Sequence, residues 1–333
     1  MFIGHGDECK DDSIIADFSS NVFNSTFAQN MWKEMNVTHS SLLRYPQSDS
    51  ATLTKLIAEE HSVLPKNVMV TNGAVEAIYL IARLFQGKNS FIAIPSFSEY
   101  EDACKQNKHI ISYLYQEQLK GVPNNNGITW LANPNNPDGK PLTAETINIL
   151  LTLNANAHLV IDESFIDFLP HSTNSSITLH PRVLRIRSFT KLYGIPGIRL
   201  GYIIASEEII KALKNLCFPW NVNALAQHIG EFCIQNSSQI KTLLPKLLSE
   251  SIWLQEQIHN LPLFEVLYSP THFFLVKTKT KTARELSNFL YKQKNICVRN
   301  AENFRGLDGS YFRICTQNRE KNNLLIEALS CWK

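Results

Sequence analysis

Between residues 66 and 206 short apolar runs alternate with longer stretches whose apolar positions recur every three or four residues. Val68-Met69-Val70-Thr71 predicts a strand. Ala74 to Phe85 follows, with apolar residues at 75, 78, 79, 82 and 85, one face of a helix. The same reading predicts strands at Phe91–Ile94, Ile110–Tyr115, Ile128–Ala132, His158–Asp162, Val183–Arg187 and Leu200–Ala205. Several of these runs are apolar throughout, as strands covered on both faces are. Alternating strand and helix imply a mostly parallel, doubly wound α/β sheet. Ligands of such a sheet sit beyond the C-terminal ends of its strands.

After residue 222 the pattern changes. A long helical stretch is expected over roughly Ala224–Ile258, then strands at Phe264–Leu267 and Phe273–Lys277 and a helix at Thr282–Lys292. Strands at Ile296–Arg299 and Tyr311–Cys315 and a helix at Glu320–Leu329 complete the pattern. This is a smaller α+β domain. The expected division is a large domain over 41–222 and a small one made of 1–40 and 223–333, consistent with 333 residues at roughly 150 per domain.

Composition adds exclusions. With 32 Lys+Arg against 30 Asp+Glu the net charge is +2, which argues against nucleic-acid or membrane-surface binding by the chain as a whole. Met1 to Glu8 lacks a basic and apolar leader, and no apolar run approaches the ~18 residues of a membrane span. A cytoplasmic protein is expected. The seven cysteines (9, 104, 217, 233, 297, 315, 331) are dispersed and are expected to be reduced thiols. No metal-binding spacing is present.

The candidate chemistry falls at the ends of the predicted strands. Ser188-Phe189-Thr190-Lys191, with Arg199 eight residues on, supplies what pyridoxal phosphate (PLP) requires: a lysine amine for the aldehyde, and a hydroxyl and a guanidinium for the phosphate. Gly73-Ala74-Val75 opens a helix and offers backbone N–H groups to the same phosphate. Asp162 ends an apolar strand, where a carboxylate needs a partner, and a pyridinium N–H would be one. At about 4 Å and an effective dielectric near 20 that attraction is roughly 4 kcal/mol, or about three pKa units. Asn136, between the turn prolines 134 and 137, aims an amide at a phenolate or substrate oxygen, and Phe97 is placed to stack on a ring. Arg299 and Arg313, on two small-domain strands, are candidate receptors for anionic groups of a substrate, with His5 and Gly6 as possible supplements. Tyr45 could reach a phosphate in a neighbouring subunit. Each residue also has a plainer reading, as a turn former, core aromatic or solvated cation. Their order along the chain distinguishes them. Gly-x-Gly-x-x-Gly, Walker A, His-Glu-x-x-His and Gly-x-Ser-x-Gly are absent, which removes rival uses of such a sheet.

Taken together, these motifs resemble the fold-type I PLP enzymes of the aspartate aminotransferase superfamily over nearly the whole chain. Within it the resemblance is nearest to the threonine-phosphate decarboxylases of cobalamin synthesis, and next to the histidinol-phosphate aminotransferases. The segments Asp162-Glu163-Ser164-Phe165-Ile166-Asp167-Phe168, Ile195-Pro196-Gly197-Ile198-Arg199-Leu200-Gly201-Tyr202 and Gly306-Leu307-Asp308 before Arg313 carry it. The resemblance implies Lys191 as the cofactor lysine, Asp162 as the ring-nitrogen partner, Ser188 and Arg199 at the phosphate, Asn136 at the phenolate and Phe97 on the ring face. It further implies Arg313 at the substrate carboxylate and a homodimer in which Tyr45 crosses to the neighbouring site. Phe165 stands where most such aminotransferases have tyrosine, and Gln317 where a further arginine is expected. The implied reaction is decarboxylation of L-threonine O-3-phosphate, with transamination of a phosphorylated amino compound as the alternative. A PLP-fold module without activity would show a broken Lys191 or Asp162, and both are intact.

Overall fold

The computed structural model describes residues 13–35, 43–121, 126–153, 156–170 and 178–333. After a two-residue strand, β1 (Ala16–Asp17), come the strands of the main sheet: β2 (Val68–Thr71), β3 (Asn89–Ile94), β4 (Ile110–Tyr115), β5 (Ile128–Ala132), β6 (His158–Asp162), β7 (Val183–Ser188) and β8 (Gly201–Ile204). They form a seven-stranded sheet in the order β2-β8-β7-β6-β5-β3-β4. Only β8 runs against its neighbours β2 and β7; the other pairings are parallel. The C-terminal ends of β2, β3, β5, β6 and β7 therefore share one edge.

Both faces of this sheet are covered. Trp130, Val160, Leu184 and Ile186 pack on Ile78 and Ile81 of the helix Gly73–Leu84 and on Tyr100 of the helix Glu99–Gln106. Leu131, Leu159, Ile161 and Val183 pack on Ile147 and Leu150 of the helix Ala144–Leu153. This two-sided burial explains the apolar runs of β5 and β6. The strand β4 lies at the edge, and its Ile110 is exposed.

The second sheet contains β9 (Phe264–Leu267), β10 (Phe273–Thr278), β12 (Arg299–Asn300) and β13 (Tyr311–Cys315), antiparallel in the order β12-β13-β10-β9. Phe274, Val276, Phe312 and Ile314 form its core with Leu286, Leu290, Leu325 and Leu329. The strand β1 pairs in parallel with β11 (Ile296–Cys297), which seats Phe18 in that core. The helix Thr26–Glu34 instead packs Phe27 and Met31 among Leu53, Ile57, Phe189 and Tyr193.

Two expectations are corrected and one is refined. The helical stretch Ala224–Ile258 is divided into three helices, Ala224–Gln235, Ser237–Lys241 and Leu244–His259. Asn236 caps the first, its Nδ2 donating to the Phe232 carbonyl, and Pro245, which lacks an N–H, sits in the first turn of the third. The strand predicted at Ile296–Arg299 splits, its first half pairing with β1 and its second with β13. Cys297 is disulfide-bonded rather than reduced, because pairing depends on proximity in space, which dispersed spacing does not reveal. Cys104, Cys217, Cys233, Cys315 and Cys331 are free. Among the described residues no helix is long and apolar enough to cross a membrane.

Candidate active site

A cavity of about 550 Å³ opens along the shared strand edge and is closed on its other side by the second sheet. Its size suits a small-molecule site, typically ~300–1,000 Å³. Ala74, Val75, Phe97, Asn136, Asp162, Ser188, Lys191, Arg199, Arg299 and Arg313 all line it. Segments spread over 240 residues of sequence thus converge on one space. Tyr45 lies outside it, 85% exposed, with its ring 5.2 Å from that of Trp220. His5 and Gly6 lie outside the described residues.

Asp162 ends β6, and Ser188 ends β7. The Ser188 hydroxyl accepts the Thr190 N–H at 3.2 Å, which starts the short helix Phe189–Leu192 and turns Lys191 into the cavity. Burial, then the nearby Arg313 charge, lowers the Lys191 amine from 10.5 to about 8. Roughly a tenth of it is therefore neutral at pH 7. Its Nζ sits 5.8 Å from the ring centre of Phe165.

The Asp162 carboxylate is buried and makes no ion pair with a described residue. Its Oδ1 accepts the Ser164 N–H at 2.9 Å and its Oδ2 accepts the Tyr100 hydroxyl at 2.7 Å. Burial pushes its pKa up, and the Ser164 side chain, with these two donors, opposes that push. Below it, Arg185 grips the buried Glu163 at 3.0 and 3.1 Å, and Arg187 grips Asp167 at 2.9 and 3.0 Å. These pairs pin the segment after Asp162 to β7.

At the cavity mouth the helix Gly73–Leu84 presents its N-terminus to Arg199. Gly73 is required twice over: its φ is +80°, and a Cβ there would lie 2.8 Å from Arg199 Nη2. A Cβ on Gly201 would lie 2.7 Å from the Ala74 nitrogen. The result is a close cradle of backbone N–H groups and a guanidinium, suited to an anion.

The opposite wall carries two buried guanidinium groups. Arg299 and Arg313 face each other in the register of β12 and β13. Arg299 donates to Asn303 Oδ1 at 2.9 Å; Arg313 donates to Asn136 Oδ1 at 2.5 Å and to the Ser19 carbonyl at 2.8 Å. Arg313 Nε is a buried donor with no hydrogen-bond partner among the described residues. Burial and the Arg299 charge pull Arg313 down to about 9, yet it stays charged at neutral pH. Two buried like charges side by side favour anions between them and the rest of the cavity.

Sequence reasoning missed several groups here. Tyr100 lies three residues after Phe97, one helical turn on, which was the available signal. Asn21 lines the cavity with both amide atoms buried and without a hydrogen-bond partner among the described residues; the segment Asp17-Phe18-Ser19-Ser20-Asn21 belongs to the resemblance, but the sequence assigned Asn21 no role. His272 is fully buried, its Nε2 3.2 Å from the Asn21 carbonyl and its ring 3.7 Å from that of Phe168; burial takes it down to about 3. Asn303 and Phe304 belong to the loop after β12. That loop is clasped to the large sheet by Arg305, which meets Glu101 at 2.8 Å twice and lies 4.2 Å from the Tyr113 ring centre.

A family model described as "Aminotransferase class I and II" matches residues 13–329. The chain is similar to the crystal structure of L-threonine-O-3-phosphate decarboxylase from Porphyromonas gingivalis, with a TM-score of 0.89 and 35% identity over 95% of this chain and 98% of that one. It is 29% identical to the threonine-phosphate decarboxylase of Salmonella typhimurium over 95% of this chain and 90% of the relative. It is 28% identical to the histidinol-phosphate aminotransferase of Christiangramia forsetii over 88% of this chain and 86% of the relative.

Proposed function

We propose that this chain, which belongs to the aminotransferase class I and II family, is a PLP-dependent decarboxylase that converts L-threonine O-3-phosphate to (R)-1-aminopropan-2-yl phosphate and CO2. The observation that carries the reading is one cavity holding a lysine of lowered pKa, a carboxylate without an ion-pair partner among the described residues and, across from them, two buried arginines. The family is PLP-dependent, and the residues present fit that cofactor: the cradle at Gly73 and Arg199 is built for a phosphate, and Asp162 lacks the cationic partner that a ring N–H supplies. When bound, the cofactor supplies an aldehyde that captures amines and a protonated ring that draws electrons from a bond at the substrate Cα.

In this proposal Ser188, Arg199 and the N–H groups of Ala74 and Val75 hold the cofactor phosphate, Phe97 packs on the ring face and Asn136 holds the phenolate oxygen. Lys191 holds the aldehyde carbon at rest, because its lowered pKa leaves a usable fraction of free amine. Once the carboxylate has left as CO2, Lys191 Nζ delivers a proton to Cα. Arg299 and Arg313 take the two anionic groups of the substrate, carboxylate and phosphate, and Phe165 offers the amine an apolar neighbour that cannot accept a hydrogen bond from it. The cofactor groups fall to residues 41–222 and the closing groups to 1–40 and 223–333.

The proposal extends to a cytoplasmic homodimer in which Tyr45 of one protomer reaches the cofactor phosphate of its partner. Tyr45, Leu43 and Phe218 are at least 80% exposed, an apolar surface that a second copy would cover. Sedimentation of the holoenzyme as a monomer would sink this part.

The deciding experiment mixes enzyme, PLP and threonine phosphate and identifies products. Release of CO2 with an aminopropanyl phosphate supports the proposal. A keto acid with the amine form of the cofactor, or turnover of histidinol phosphate in its place, overturns it in favour of transamination.

A further inference from the structure

We infer that Tyr100 is a positioning residue for the reaction: by donating its hydroxyl to Asp162 Oδ2, it keeps that carboxylate ionised and so keeps the proton on the cofactor ring nitrogen. This rests on the reading of Asp162 as the ring-nitrogen partner.

The argument starts from the cost of burying Asp162. A carboxylate sealed in the protein without a cation tends toward its neutral acid. A neutral acid facing a ring nitrogen would leave the proton on oxygen and the ring unprotonated. Three donors resist this. Two belong to Ser164, its side chain and its backbone N–H, the latter 2.9 Å from Oδ1. The third is Tyr100, whose hydroxyl donates to Oδ2 at 2.7 Å from a separate helix. A hydrogen bond to a charged group is the stronger kind and stabilises the ionised form selectively.

The geometry makes that donor dependable. Tyr100 is 1% exposed. Its ring stacks on Trp130 at 5.7 Å and 17°, and meets Phe97 edge-on at 5.9 Å and 88°. These contacts hold the hydroxyl on Asp162 and brace the ring proposed to lie against the cofactor face. Burial, with Asp162 beside it, keeps the phenol protonated far above neutral pH, so Tyr100 acts as a fixed donor and not as a proton carrier.

The test uses holoenzyme loaded with PLP carrying 15N in its ring. The ring 15N shift against pH reports protonation, and a titration of apoenzyme gives the PLP dissociation constant. Tyr100→Phe keeps the stacked ring and removes only the hydroxyl. It should shift the shared proton from the ring nitrogen toward Asp162, which lowers the ring-protonated fraction that the 15N shift reports across the titration, and weaken PLP binding about tenfold. Replacement of Tyr100 by 3-fluorotyrosine, a stronger donor, should move the titration the other way. A residue that merely filled space would show neither shift, and the opposite signs hold the test even if Tyr100→Phe folds poorly. Asp162→Asn separates the two claims. If it strips the ring proton while both Tyr100 variants titrate like wild type, the inference about Tyr100 is wrong and the reading of Asp162 stands. If Asp162→Asn leaves the ring protonated, both are wrong.

Discussion

The two walls of the cavity are built by different means. The wall on the main sheet takes its residues from strand ends and the turns just after them: Ala74, Phe97, Asn136, Asp162, Ser188 and Lys191. Each is placed by a short stretch of its own sequence. The wall on the second sheet takes Arg299 and Arg313 from strands held opposite each other by antiparallel register, and the loop after Arg299 is fastened by the contact of Arg305 with Glu101, 204 positions earlier in the chain. The first wall can be read locally and tolerates little change. The second depends on distant parts staying in place, and it sets two buried guanidinium groups beside each other.

The largest expected effect lies on the first wall. Lys191→Ala should lower kcat by about 10³-fold or more, since it removes both the amine that anchors the cofactor and the proton donor to Cα. Single-turnover and steady-state assays of CO2 release check this. On the second wall, Arg313→Leu should cost about 10²-fold in kcat/KM for threonine phosphate. It should also raise the pH at which PLP is captured, because losing a positive neighbour lets the Lys191 amine climb from about 8 toward its ordinary value. Arg313→Lys should recover the pH shift better than the binding, because an ammonium keeps the charge and loses the fork. If Arg313→Leu leaves the capture pH untouched, the two walls are electrically independent and the contrast drawn above is too weak.

That contrast also explains what the sequence made legible. The strand ends of the main sheet were visible because two-sided burial writes continuous apolar runs, and their chemistry sits one to four residues further on. Asp162 and Lys191 were found this way. Arg299 and Arg313 were recognisable as cations on strands, but nothing in their spacing showed that they face one another. Tyr100 was hidden because a buried aromatic at helical spacing looks like core, and most of its ring is core. The break at Asn236 is local, made by its bond to the Phe232 carbonyl, whereas the split of the strand at Val298 was hidden because its halves pair with β1 and β13, elsewhere in the chain. The pairing of Cys297 was invisible for the same reason.

His272 joins the two walls, pinning Asn21 beside the cavity and leading into β10. Buried and held down to about 3 against an ordinary 6.5, it stays neutral in the fold while the unfolded chain takes up a proton. Stability is therefore fully present above about pH 6.5 and falls as the pH drops from there toward 3. The slope is about 1.4 kcal/mol per pH unit for one such group. His61, also buried and lowered to about 3, adds a second proton. Urea unfolding at pH 7 and pH 5 should show this loss, and His272→Phe should reduce its steepness by one proton. An unchanged slope would mean that His272 opens to solvent before the fold does.

The smallest effect is expected at the clasp. Arg305 is half-exposed, so its pair with Glu101 contributes only about 0.5–1 kcal/mol. Arg305→Ala should therefore raise KM for threonine phosphate about two- to fivefold. The loss acts through the loop that carries Asn303 and Phe304, while kcat stays close to wild type because no group on the main-sheet wall has moved. Arg305 holds Glu101 down to about 2, so the clasp stays charged and KM should show no pH step from it between pH 5 and 9. Added salt should weaken it, as an exposed pair demands. The exchange Glu101→Arg with Arg305→Glu should restore KM, whereas either change alone should not. If the single changes lower kcat and leave KM alone, the second wall is not an independently held part, and the difference between the two walls lies only in how their sequences are read.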